Sequence, residues 1–427
     1  MGDIKFQIIK KISEINFKHR DLNKISQIDS ISPPSVFIGS KLKYPLVNVG
    51  ILSPLERDEN AWVYDDAKYW AENDFQIGEV IKLRDNLLNS RFQSKVTDVR
   101  LNKKFVEIAR DVAIASKPVD VEIEFKKNIS VNKNKDRILT PLGMRAGLKK
   151  VKITSNVKIS QKVDKVINDE LKASEGMDLL YKNNLDEYAL SKILSVGVLG
   201  LKKNKRLVPT RWSITATDDT IGKNLMKNVR DYKWIENYNL FFGEFLGNQY
   251  MILFFPNLWG YELFELYLPK SSWNPSNEIR ASTDYENYSG RKAYAFNTAG
   301  GYYAARLPIL QYLNNIKRQA SVLVIRIETP SYWASLGVWV VRESVRKTLK
   351  KVAMKFNSRK ELIEGAKKIG NNKFNTENQG FSDPQTSGGA FARNTKQKVL
   401  GFNISDILKK SKLLEQIKSQ TNLRKWF

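Results

Sequence analysis

The chain has 427 residues, 42% of them hydrophobic, and carries 71 Lys and Arg against 45 Asp and Glu, a formal charge of +26. That length allows two or three domains with cores of their own, and the cationic surplus favours polyanionic partners, nucleic acid first. With no cysteine and His19 as the one histidine, disulfides, thiolate nucleophiles and zinc–thiolate sites are excluded, so metal chemistry must rest on carboxylates holding a hard ion such as Mg²⁺.

Residues 1–20 mix charges with short apolar pairs and show no secretory pattern, so the chain reads as cytoplasmic and, with DNA as its partner, nucleoid-associated. Two short apolar strands, PPSVFIG (33–39) and YPLVNVG (44–50), each stop at a glycine. Leu101, Phe105, Ile108 and Val112 fall at helical spacing, which predicts an amphipathic helix over 95–116. Val119, Val121, Ile123 and Phe125 alternate as in a half-buried strand, and the basic run 126–137 reads as an exposed loop. A strand over 151–159, a helix carrying Val163, Val166, Ile167 and Leu171 inward, and a helix over 185–199 closed by Gly200 follow.

The most apolar stretch, 251–268, contains Pro256, Asn257, Glu262 and Glu265, which argues against a membrane span and for a buried strand followed by a packed turn or helix. Residues 302–319 form a helix with Leu307, Leu310, Leu313 and Ile316 on one face. Residues 321–328 and 337–341 read as buried strands, and 342–356 as a helix with Val345, Leu349, Val352 and Phe356 inward. Ser358 to Glu361 has capping-box spacing and opens a helix that Gly370 stops. Residues 371–398, rich in Asn, Gly, Ser and Gln, read as a loop or linker. Ile404, Leu408, Leu413, Leu414 and Ile417 then outline a short amphipathic helix. Helices and strands alternate without a βαβ series, which predicts an α+β fold: mixed sheets with packed helices, two domains and a C-terminal tail.

The last eight residues are Gln420-Thr421-Asn422-Leu423-Arg424-Lys425-Trp426-Phe427. In one tight turn Leu423, Trp426 and Phe427 share a face, leaving Gln420 for polar contacts of its own. A docking peptide gains from displaying two aromatics; the other reading tucks them onto the chain's own core. The pattern resembles the PCNA-interacting peptide, which implies that Leu423, Trp426 and Phe427 enter the apolar pocket of a trimeric DNA sliding clamp and Gln420 a polar one.

The segment LVPTRWSITATDDTIGK (207–223) is dense in hydroxyls. Read as a strand, it points Arg211, Ser213, Thr215 and Thr217 to one side and Trp212, Ile214 and Ala216 to the other. Thr210, Arg211, Thr215, Thr217, Lys223, Arg291, Lys292, Tyr303 and Arg306 are candidates for nucleotide or phosphate contacts, and Asp218, Asp219, Asp284 and Glu286 for metal or acid–base work. The same residues also suit a solvated face with local caps and salt bridges. There is no P-loop and no GxGxxG.

Six stretches carry a resemblance to the archaeal Nre (NreA/NreB) DNA repair family: PPSVFIG (33–39), YPLVNVG (44–50), LVPTRWSITATDD (207–219), DYENYSGRKAYAFNTAGGYYAARL (284–307), RQA (318–320) and LGVWVVRESVR (336–346). The resemblance implies an N-terminal-type domain over 1–285 and a C-terminal-type domain over 286–404, with the loop 371–398 inside it. An amphipathic helix and the clamp-binding tail occupy 405–427. Some members begin with a cysteine-rich segment of zinc-finger type, for which this chain supplies no cysteine. Two functional expectations follow. One is a DNA repair factor recruited to the PCNA clamp by its tail and held on DNA by a basic surface. The alternative is a Mg²⁺-dependent nucleotide- or phosphate-binding enzyme of nucleic-acid metabolism, with a purine nucleotide as ligand. A third reading, an RNA-associated basic protein, leaves the tail unexplained.

Overall fold

Burial alternates strictly along Val119–Phe125, with the odd positions inside, so the half-buried strand expected there is present. The structure, a computed structural model, describes residues 25–126, 129, 140, 142–376 and 404–423, with the backbone alone at 372–376 and 420–423. The fold is α+β, with two six-stranded mixed sheets. Two compact units interleave in sequence: Met1–Met226 with Tyr303–Pro308 and Ala334–Glu343, and Lys227–Tyr302 with Ile309–Trp333 and Ser344–Phe427.

The first unit holds strands β1 (Gln27–Ser32), β2 (Val36–Gly39), β3 (Leu46–Pro54), β4 (Leu87–Lys95), β5 (Val119–Phe125) and β6 (Arg145–Ile153). Their order is β1-β5-β6-β4-β3-β2, antiparallel except for the β4–β6 pair. Its helices are α1 (Ala67–Glu72), α2 (Ile77–Asp85), α3 (Lys104–Ile114), α4 (Gln161–Asn168), α5 (Ala173–Lys182), α6 (Glu187–Ser195) and the start of α7 (Thr210–Asp231). Helix α3 buries Val106, Ala109, Val112 and Ala113 against the sheet.

The second unit holds β7 (Tyr238–Phe245), β8 (Asn248–Phe255), β9 (Gly260–Tyr267), β10 (Arg280–Glu286), β11 (Ser321–Glu328) and β12 (Met354–Phe356), ordered β10-β9-β11-β8-β7-β12, with only β9 and β11 parallel. Helices α8 (Ala299–Asn315) and α9 (Trp339–Leu349) contribute residues to both units. Helices α10 (Arg359–Thr376), α11 (Ile404–Lys409) and α12 (Lys412–Leu423) belong to the second. Alternate residues of the central strands (Met251, Leu253 and Phe255; Leu323, Ile325 and Ile327) form one core with Leu362, Ile404, Leu408, Leu413, Leu414 and Ile417 of these three helices. Phe241, Phe254 and Tyr312 meet edge to face in the same unit.

Several local expectations are corrected. Gly39 ends β2, but Gly50 lies inside β3, where an added Cβ would run into the Asn89 side chain. The helix expected over 95–116 is interrupted: Asp98 accepts from Lys95 N (2.9 Å) and Ser94 Oγ (2.9 Å), a 3-10 turn follows, and Leu101 is 65% exposed. The strand expected over 151–159 ends at Ile153. Helix α6 ends before Gly197, whose φ of +71° suits a residue without Cβ, rather than at Gly200. The 251–268 stretch is a strand, a turn and a second strand. The 337–341 stretch opens α9, which stops at Leu349, leaving Val352 92% exposed and Phe356 in a strand. The Ser358 capping box forms, with Glu361 N donating to Ser358 Oγ (3.2 Å) and Asn357 N to Glu361 Oε2 (3.2 Å). Gly370 does not stop that helix; the helix passes Ile404 there, with Ile404 Cδ1 only 2.9 Å from where a Cβ would sit. Most of the basic loop 126–137 and most of 371–398 lie outside the described residues.

Glu262 ties β9 to the last helix, accepting from Ser411 Oγ (2.5 Å), Leu413 N (3.0 Å) and Lys412 N (3.2 Å), so a carboxylate caps the N-terminus of α12. Burial pushes its carboxyl up, against the pull of Ser411, Leu413 and Lys412. A carboxyl raised in the folded state contributes stability that is complete below its ordinary pKa of 4.5 and is lost as pH rises through the folded value. Glu262→Gln, neutral throughout, is expected to flatten that part of the profile. Urea midpoints of both proteins across about pH 4 to 7 check this, and a wild-type-minus-variant difference that stays constant would contradict it.

Candidate functional site

A cleft of about 820 Å³, counted to its open mouth, lies wholly within the first unit. Helix α6 supplies Tyr188, Ser191, Lys192 and Ser195, whose spacing of three, four and seven residues places them on one face. Helix α7 supplies Thr210 and Ile214 from its first turns, and α9 supplies Trp339 and Arg342, again one turn apart. Ser35 to Phe37 at β2, Trp70 of α1, Arg84 of α2 and Asp65 complete most of the wall.

The polar groups of this wall are fixed. Thr210 Oγ1 accepts from Ile38 N (2.8 Å), and Ser195 Oγ meets Ser213 Oγ (2.6 Å). Trp70 Nε1 donates to Val63 O (2.6 Å) and Trp339 Nε1 to Leu336 O (2.8 Å), and the two indoles meet edge to face at 5.4 Å. Arg84 pairs with Asp65, whose other oxygen lies 4.0 Å from Lys192 Nζ. Arg342 Nη2 donates to both oxygens of Asp218 (2.7 and 2.6 Å), Glu187 Oε1 stands 3.8 Å from its Nε, and its guanidinium lies 4.8 Å from the Tyr188 ring centre. Tyr188 Oη donates to Glu343 (2.7 Å). Burial alone would push the Arg342 guanidinium down; Asp218, Tyr188 and Glu187 outweigh it and hold the charge.

Residues 211–217 are helical, and the strand reading of TRWSITATDD is overturned. The buried positions Ser213, Thr217, Asp218, Ile221 and Leu225 follow helical spacing, leaving Arg211 and Trp212 exposed and Thr215 half-buried with its Oγ1 near Arg211 O (3.4 Å). Neighbouring helix positions point about 100° apart, so Asp218 and Asp219 take different arginines. Asp219 pairs with the fully buried Arg306 (2.6 Å) and with Lys223 (2.6 Å), and Arg306 lies over Tyr303, 5.6 Å from its ring centre. Thr217 is buried and its Oγ1 makes no hydrogen bond.

The remaining candidates lie in the second unit. Asp284 Oδ2 accepts from Thr298 N and Oγ1 (both 2.9 Å), at the start of α8. Arg291 clasps that loop through Asp284 Oδ1 (3.1 Å), Tyr285 O (2.8 Å) and Tyr294 O (3.1 Å), and Glu286 accepts from Trp259 Nε1 (3.2 Å). The clasped segment exposes Tyr288, Lys292, Tyr294 and Phe296, the last 78% exposed. The structure thus brings Thr210, Asp218, Asp219, Lys223, Tyr303 and Arg306 into one unit and places Asp284, Glu286, Arg291 and Lys292 in the other. No three His, Cys, Asp or Glu side chains gather as metal ligands would among the described residues. Sequence reasoning passed over Trp70, Tyr188, Lys192, Trp339 and Arg342; the polar stripe 188-191-192-195 on an otherwise apolar helix was the available signal. Gln420 and Leu423 fall at the end of α12 without described side chains, and Trp426 and Phe427 lie outside the described residues, as does His19.

The fold and this cleft define an α+β protein of two interleaved units, with motif residues of the first converging on one cavity. The family models described as Archaeal Nre, N-terminal and Archaeal Nre, C-terminal match residues 1–274 and 286–386. The chain belongs to the archaeal Nre family. It is 40% identical over 359 residues to the DNA repair protein NreA of Archaeoglobus fulgidus, covering 83% of this chain and 89% of that one. It is 40% identical over 319 residues to NreA of Haloferax volcanii (73% and 76% covered) and 36% over 318 residues to NreB of A. fulgidus (74% and 78%). No solved structure matches it. Among the described residues no helix is long and apolar enough to cross a membrane.

Proposed function

We propose that the chain is a DNA repair factor, recruited to a ring-shaped PCNA-type clamp by Gln420, Leu423, Trp426 and Phe427 and held on DNA by its basic surface. The observation that carries the reading is the QTNLRKWF segment, whose aromatics gain most from a partner's apolar pocket. The names of the relatives, DNA repair proteins NreA and NreB, and the charge of +26 point the same way. Loss of clamp binding on replacing Trp426 and Phe427 by Ala tests recruitment.

The DNA half of the reading is served by the segment 287–298, where exposed Tyr288, Tyr294 and Phe296 flank the exposed Lys292, as single-stranded nucleic acid requires of a stacking platform. Affinity for single-stranded DNA is expected to fall steeply between about 50 and 200 mM salt, because phosphate contacts release counterions. Tyr294→Ala with Phe296→Ala should weaken it about tenfold while leaving the salt slope intact. Fluorescence anisotropy on a labelled oligonucleotide reads both. Affinity indifferent to salt would remove the DNA-holding surface from the proposal.

A further inference from the structure

The cleft of the first unit carries an inference of its own. Its wall combines aromatic surface with unequal charge: Arg84, Lys192 and Arg342 line it against one carboxylate, Asp65, while Asp218 and Glu187, which balance Arg342, are not part of the lining. Arg342 is fully buried, yet its Nε makes no hydrogen bond. Two helices of 22 and 11 residues, α7 and α9, begin on this wall at Thr210 and Trp339, so both present their positive ends to it. The indole N–H groups of Trp70 and Trp339 are already bonded to carbonyls, leaving ring surface as what these side chains offer.

We propose that this cleft binds one nucleotide unit, its base against Trp70, Trp339 and Tyr188 and its phosphate toward Lys192 and Arg342. A flat π-system with an attached anion is what such a wall complements: aromatic faces take any base, and the cations and helix ends take phosphate. Asp65 and the hydroxyls of Ser191, Ser195 and Thr210 supply an acceptor and polar contacts for a base edge. The unit has two sources, a free mononucleotide or a base turned out of DNA. Only the DNA source rests on the repair reading.

The test uses the full chain. Calorimetry with dAMP, dGMP, dCMP and dTMP, with and without Mg²⁺, reads the free source. A duplex carrying 2-aminopurine at a mismatch, and the same probe single-stranded, read the extruded base through a change in its emission on stacking. Ile214→Trp, which fills the cleft from a half-buried helix position, and Lys192→Met, which removes a wall charge, are expected to weaken whichever signal appears by tenfold or more with an unchanged melting temperature. Heat with mononucleotides assigns a free nucleotide; a signal from the DNA probe alone assigns an extruded base. No signal from the wild-type chain with either probe overturns the proposal, as does wild-type binding by both variants. Clamp binding measured on the same samples separates the outcomes: nucleotide binding lost with clamp binding intact bears on the cleft alone, and the reverse on recruitment alone.

Discussion

Asp218→Ala is expected to destabilise the first unit by about 3–5 kcal/mol, because it leaves the Arg342 guanidinium buried without its main counter-ion. Asp218 is 1% exposed and both its oxygens accept from Arg342 Nη2. Glu187 Oε1, 3.8 Å from Nε, is too far to take its place as a hydrogen-bond partner. Asp218→Asn keeps an acceptor and should cost less, and Arg342→Met combined with Asp218→Leu should recover much of the loss, since a buried pair replaced by apolar groups of similar volume is often neutral. Urea unfolding followed by tryptophan emission measures it, with the first transition analysed separately, since two units need not unfold together. A loss below about 1 kcal/mol in Asp218→Ala would show that the pair is not a desolvated one. Arg342 also lines the cleft, so nucleotide binding should fall even in variants that stay folded.

How much of this was legible depended on the distance over which the signal ran. The strands Val119–Phe125 and Ser321–Glu328 were readable because a two-residue alternation and an unbroken apolar run each say where the core is. TRWSITATDD was misread because seven residues of alternating polarity fit a strand and the first two turns of a helix alike. The deciding positions, Ile221 and Leu225, lie further on. VWVV (338–341) looked like strand because β-branched residues favour it; in the structure Trp339 opens α9 and the buried Val340 and Val341 lie in its first turn.

Strand β9 was missed for a different reason. Glu262 and Glu265 suit a packed turn or helix better than a second buried strand until Ser411, Leu413 N and Arg326 are known to receive them, and those partners are 61 to 151 residues away in sequence. The cleft was illegible as a cleft, since its wall runs from Ser35 to Arg342 and no local period reports such contacts. Its residues were nonetheless in view: Ser35, Val36 and Phe37, Thr210 and Ile214, and Val338, Trp339 and Arg342 all belong to stretches that carried the family resemblance. The pattern read in the tail is short and local, so it can be read from the sequence alone, and its role as a docking peptide stands as a proposal.

Replacing Trp426 and Phe427 by Ala is expected to weaken binding to a PCNA-type clamp by about 10² to 10⁴-fold, or about 2.7–5.5 kcal/mol. Two aromatic anchors entering an apolar pocket dominate such a contact, and the flanking Arg424 and Lys425 contribute less, so Arg424→Ala serves as a control expected to change binding little. Helix α12 is anchored by Leu413, Leu414 and Ile417 in the core of the second unit, so the proposed docking segment, from Gln420, begins three positions beyond a core residue. That attachment predicts that the clamp holds the body close, and that a ring with three pockets can carry a second client beside it at high effective concentration. Surface plasmon resonance on immobilised clamp measures the loss, and a synthetic QTNLRKWF peptide should compete with the intact chain. DNA affinity of the double variant without clamp should remain at the wild-type level. If wild type and variant bind the clamp equally, or neither binds, recruitment through this segment is wrong, and the basic surface and the cleft must account for how the protein finds its substrate.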